Sequence, residues 1–155
     1  MTIDQIKSAV CSYFNKSENF SVPFVKSPNT NAAPKGTYIA VKVDGVEQHG
    51  SMMVPNKNEG YHFSNIASLV LIEVEGDGDV LRQARNEMQT PEFVQHAEQC
   101  GFTVWDMGKI LETPSYDGEF YVRQWRMTVR VNFSDEKQSS IEKIDTADVE
   151  FQVEF

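Results

Sequence analysis

Glu73, Glu75, Asp77 and Asp79 are the densest group of potentially reactive side chains in the sequence. Hard cations bind through several such oxygens at once. The stretch does not complete a calcium-loop pattern, and its spacing at a strand end scatters the carboxylates. The expected role is a solvated strand exit leading into a helix cap at Asp79. Gly76 and Gly78 sit in the same stretch, VEGDGDVLRQ. It has neither the third glycine of a dinucleotide loop nor the lysine of a P-loop. Asp77 and Asp79 would also repel a phosphate. His49, His62 and His96 lack zinc spacing. Ser51, Ser64 and Ser68 fall outside the Gly-x-Ser-x-Gly elbow. Cys11 and Cys100 are expected to be small buried hydrophobes in a reduced compartment. No catalytic, cofactor-binding or metal-ligating residue is assigned, and no cofactor is expected.

Arg123, Arg126 and Arg130 offer recognition rather than bond making. Arg126 and Arg130 share the polar face of an alternating segment, and Arg123 lies in the opposite register. Both solvation and contact with an acidic neighbouring subunit are open to them. The chain carries 23 acidic and 14 basic residues, a net charge of −9, with 16 acids against 8 bases after residue 75. A free-standing nucleic-acid binder needs a basic cluster, which is missing here. An acidic wall that repels DNA is compatible with this charge.

These groups must be positioned by a chain of 155 residues, 40% of them hydrophobic, which suits a single domain, 1–155, with a core. No apolar run approaches the roughly 18 residues of a membrane span. The opening MTIDQ does not resemble a secretory signal. Neither membrane insertion nor targeting is expected. Thr2 and Gln5 form a capping box, and Ile3, Ile6, Val10 and Phe14 recur at helical spacing, which predicts a helix through about residue 16. Residues 17–37 read as an extended loop punctuated by Pro23, Pro28 and Pro34. Phe20, Val22, Phe24 and Val25 within it suit either the core edge or another subunit.

YIAVKV at 38–43 predicts a strand closed by an Asp44-Gly45 turn. Residues 46–64 are expected to be an extended loop or projecting hairpin. SLVLIEVE at 68–75 predicts a strand whose end alternates Ile72 and Val74 with a polar Glu73 and Glu75. A kinked helix or helix pair follows. Val80, Leu81, Ala84 and Met88 form one side, Thr90-Pro91 makes a new cap, and Gly101 stops it. Residues 102–107 return to strand composition. Tyr121, Trp125, Met127, Val129, Val131 and Phe133 then share one face of a long strand. Residues 134–140 read as a turn, and Val149, Phe151, Val153 and Phe155 as a last strand. The fold class is α+β: a mixed, largely antiparallel sheet packed against an N-terminal helix and the central helix or helix pair.

Three blocks, Tyr38–Val43, Gly76–Met88 and Asp117–Phe133, resemble those of bacteriophage tail or neck terminator proteins. The order matches from the Pro-rich APKGTYIAVKV through SLVLIEVEGDGDVLRQARNEM and PEFVQHAEQCGFTV to DGEFYVRQWRMTVRVNF, over about residues 5–150. In that comparison Gly78 and Arg85 occupy the turn and first face of the central helix, and Pro91 its break. Tyr121 to Met127 match the approach to the long strand, with bulky Trp125 where a small residue is usual.

The resemblance implies a structural virion protein rather than an enzyme, assembled in the host cytoplasm and placed at the tail–neck junction. It implies a ring, commonly homo-hexameric, that terminates the tail tube, meets the tube protein on one face and the neck or head-completion protein on the other, and lets DNA pass. Sequence-specific nucleic-acid binding is not implied. Sheet edges are one means of joining subunits, and residues 17–37 and 46–64 are candidate neighbour contacts. A tail-completion or head–tail connector subunit is the near alternative, and a small metal-assisted hydrolase the remote one.

Overall fold

The computed structural model describes residues 1–28, 33–48, 54–56, 60–118 and 120–137. The chain runs α1 (Ile3–Lys16), β1 (Phe24–Lys26), β2 (Tyr38–Gln48), β3 (Val54–Asn56), β4 (Gly60–Val74), α2 (Asp79–Glu87), α3 (Pro91–Cys100), β5 (Phe102–Glu112), β6 (Ser115–Asp117), β7 (Phe120–Val122) and β8 (Gln124–Lys137). The main sheet has the order β1-β2-β4-β8-β5, with β3 added beside β4, while β6 and β7 form a separate hairpin. Only β1 and β2 pair in parallel. Both β4 and β5 are antiparallel to the strand between them, β8, so they run parallel to each other and α2 and α3 form their crossover. The expected α+β architecture is the one observed.

The helices begin and end as the sequence dictates. Thr2 accepts from the Gln5 backbone, Gln5 returns the bond, and Thr90 caps α3 with Pro91 in its first turn. Gly101 adopts a left-handed conformation with φ 102° and ends α3. Ile6, Val10 and Phe14 of α1, Leu81 and Ala84 of α2 with Met88 just beyond it, and Phe93 and Ala97 of α3 join one cluster with Ile39, Val41, Leu69, Leu71, Met127, Val129 and Val131 of the sheet. The helical layer therefore covers one face of the sheet. Ile3, expected on the same stripe, is exposed.

Several local expectations change. The stretch 17–37 contains β1, because Phe24 packs under α1 and its backbone finds partners on both sides. Phe20, Val22 and Phe24 turn to the core, which settles for them the choice between core edge and neighbour. Asp44-Gly45 is not a hairpin turn: β2 passes through it with a register shift and continues to Gln48. The strand that contains Ser68, β4, starts at Gly60, so β2, β3 and β4 all enter the 46–64 region. β5 extends to Glu112, and β8 runs through the expected turn to Lys137, since residues 61–64 of β4 supply it with partners. Tyr121 belongs to the β6–β7 hairpin and is exposed, so it leaves the core face of β8. The expected strand at 149–155 lies outside the described residues.

Candidate assembly surface

The carboxylate cluster resolves into one structural group and three solvated or locally paired ones. Glu73 is fully buried, not on a polar face. Its Oε2 accepts from the Gly78 N–H at 2.7 Å and its Oε1 from the Leu81 N–H at 3.0 Å. The cap of α2 is thus supplied by the preceding strand. Asp79 is the first helical residue, and the N-cap position is Gly78, at φ 89°, with no side-chain cap of its own. This corrects the expectation for both residues. A carboxylate at a helix N-terminus satisfies orphan N–H groups and meets the positive end of the helix dipole. A Cβ on Gly76 would collide with that carboxylate. Asp77 is exposed, and the Asp79 N–H at 3.1 Å holds its carboxyl below the usual range. Among the described residues no cluster of three or more His, Cys, Asp or Glu could hold a metal ion.

The remaining reactive side chains are separated and structurally employed. His96 Nε2 lies 3.1 Å from the Ala9 carbonyl and ties α3 to α1, while His62 pairs with Glu136 at 3.4 Å. Ser64 donates to Asn132 at 3.3 Å. His49 and Ser51 lie outside the described residues. Both cysteines are free thiols. Burial pushes the Cys11 thiol up to about 11, against partial relief from Lys26 and Lys7. Thiolate is the reacting species, so a disulfide reagent at pH 8 is expected to label half-buried Cys100 first and Cys11 only as the fold opens. Equal labelling rates for the two in the native protein would contradict this placement of Cys11.

Among the described residues, no helical layer lies over the other face of the sheet. The register puts Ala40, Lys42, Ile66, Ser68, Val70, Ile72, Arg126, Thr128, Arg130 and Asn132 there. Ile66 and Val70 are only 1% exposed, yet they stand apart from the helix-side core. Ile66 is flanked by Glu47 and Asn132, and Val70 by Lys42 and Thr128. Arg130 reaches over β4 to donate to Glu47 at 2.6 Å, and its guanidinium lies 4.9 Å from the Trp105 ring centroid. Long polar side chains thus roof the apolar centre. Trp105 and Leu111, at 49% and 55%, remain exposed beside it. Leu111 lies beyond residue 107, where strand composition ends in the sequence, and Trp105 carries no signal for a face.

The arginines separate as their alternation predicts. Arg126 sits on the uncovered face opposite Leu111 and Ile72. Arg123, in the opposite register, lies 5.6 Å from the Trp125 ring centroid and 3.5 Å from Glu112. Trp125 packs against the Gly78 turn, where an added Cβ would come within 3.0 Å of the indole. A bulky residue at 125 is accommodated by the absence of a side chain at 78. The β6–β7 hairpin beside them exposes Tyr116 and Tyr121, stacked edge to face at 5.6 Å.

Buried carboxylate, histidines and thiols serve the fold, and Trp105, Leu111, Arg126 and Arg130 stand on the sheet's open side. That is the anatomy of a binding surface. Among the described residues no helix is long and apolar enough to cross a membrane. A search of curated proteins finds no match. A family model described as phage neck terminator protein matches residues 3–154. The chain belongs to this phage tail and neck terminator family, structural proteins of the virion's tail–neck junction rather than enzymes.

Proposed function

We propose that the chain, as a single domain spanning 1–155, assembles into a homo-hexameric ring that ends the tail tube and joins it to the neck or head-completion protein. The family match over residues 3–154 carries this reading. The one-sided sheet supports it, because an open face with exposed Trp105 and Leu111 suits a molecule completed by assembly. The mechanism is geometric complementarity: one rim stops tube growth and the other receives the next neck component. DNA passes through the lumen without base recognition. The net charge of −9 suits a wall from which phosphates slide away.

Native mass spectrometry and negative-stain images of one sample test the assembly. The expected result is a closed ring of about six copies, formed alone or on isolated tail tubes. A chain that stays monomeric at high concentration, and also in the presence of tail tubes, would overturn the ring.

A further inference from the structure

We propose that the uncovered sheet face is one half of the contact between successive copies in the ring, and that the outer side of α3 on the next copy is the other half; this rests on the ring reading above. The sheet edges are poorly suited to that task. At β1, the Asn15 side chain donates to the Phe24 carbonyl and accepts from the Phe24 N–H, both at 2.8 Å, so the short outer edge is already closed. At β5, two register shifts interrupt the strand, and Lys109 is exposed within the second. Bulges and lysines of this kind discourage strand addition. A contact through faces needs neither of these edges.

Charge and exposed apolar surface match two such faces. On the open face Arg130 pairs with Glu47 at 2.6 Å and Lys42 with Asp44 at 3.1 Å. Arg126 makes no ion pair among the described residues and is half-buried beside exposed Leu111. The outer side of α3 presents Val94 and Glu98, both exposed, and the helix carries no lysine or arginine. Val94 and Glu98 are one turn apart and share a stripe. A contact between two different patches is heterologous, and repetition of it gives a ring where the rotation between copies closes. Arg126 would meet Glu98 of the next copy while Leu111 and Trp105 cover Val94.

The test uses full-length chains carrying Arg126→Glu, Glu98→Arg, or both, each followed by native mass over a dilution series and by thermal melting. Each single reversal is expected to raise the concentration for half-assembly at least about tenfold, and the double variant to recover most of that loss. A ring unaffected by Arg126→Glu, or a double variant no better than the singles, overturns the contact and leaves the ring standing. An Arg126→Glu chain that keeps its ring but melts lower places Arg126 in a contact within its own chain, which also overturns the proposal. A wild-type chain with no ring, alone or on tubes, removes the ring reading itself.

Discussion

A Glu73→Leu chain is expected to lose about 2–5 kcal/mol of stability in urea denaturation, although leucine fits the apolar side of β4 better than a carboxylate. The loss comes from the N–H groups of Gly78 and Leu81, which donate to the two carboxylate oxygens at 2.7 and 3.0 Å. Without them two donors at a helix start lack partners, each costing about 1–3 kcal/mol where water cannot reach. The helix dipole also loses its counter-charge. Glu73→Gln keeps one acceptor and is expected to fall between leucine and wild type. Gly76→Ala supplies an independent check, because its Cβ would collide with the same carboxylate. It should be costly in the wild-type chain and much cheaper in a Glu73→Ala background. A Glu73→Leu chain within about 0.5 kcal/mol of wild type would show that the cap contributes little.

This residue also marks where sequence reasoning stops. Capping boxes, helix stripes and the glycine stop at 101 are encoded by neighbours in sequence, and α1 and α3 are legible from them. The β8 alternation from Trp125 to Phe133 is legible for the same reason. Glu73 alternates like an ordinary solvated residue, and only the return of the chain through Gly76 and Gly78 places a helix start over it. The strand ends follow the same logic. Glu112 and Lys137 belong to strands because partners elsewhere supply hydrogen bonds, so local turn chemistry at Asp44-Gly45 or in SDEK is overridden.

The assembly surface was half legible. Alternation alone puts Arg126 and Arg130 on one face, and the structure keeps them there. What alternation cannot supply is the strand order β2-β4-β8-β5, which brings Glu47, Arg130 and Trp105 into one row. Nor does it say that all three helices choose the opposite side. That face is a product of topology, and a structural protein of the tail–neck junction has no catalytic spacing to betray it. The family resemblance therefore carries more functional information than any single motif, while the structure says which face is left for a partner.

Phe14→Ala is expected to cost about 3–5 kcal/mol, the range for removing a buried aromatic side chain. Phe14 is fully buried and stacks on Phe24 at 4.5 Å, with Phe20 edge-on at 4.9 Å and Phe93 at 5.9 Å. Its ring thus joins α1 to α3 and to β1, a strand of three residues with little else to hold it. Damage should concentrate there. The Ile39 N–H donates to the Pro23 carbonyl at 2.9 Å and the Ser27 N–H to the Val41 carbonyl at 2.8 Å, so both amides report on whether β1 is docked. Under native conditions their hydrogen exchange should accelerate more than that of amides between β4 and β8. Asn15→Leu separates packing from edge closure. It keeps the aromatic stack but leaves the Phe24 N–H and carbonyl without their side-chain partners, so it should loosen the same amides at a smaller global cost. Uniform acceleration across the whole sheet in Phe14→Ala would mean that β1 unfolds only with the entire domain, and that the aromatic cluster is no local clasp.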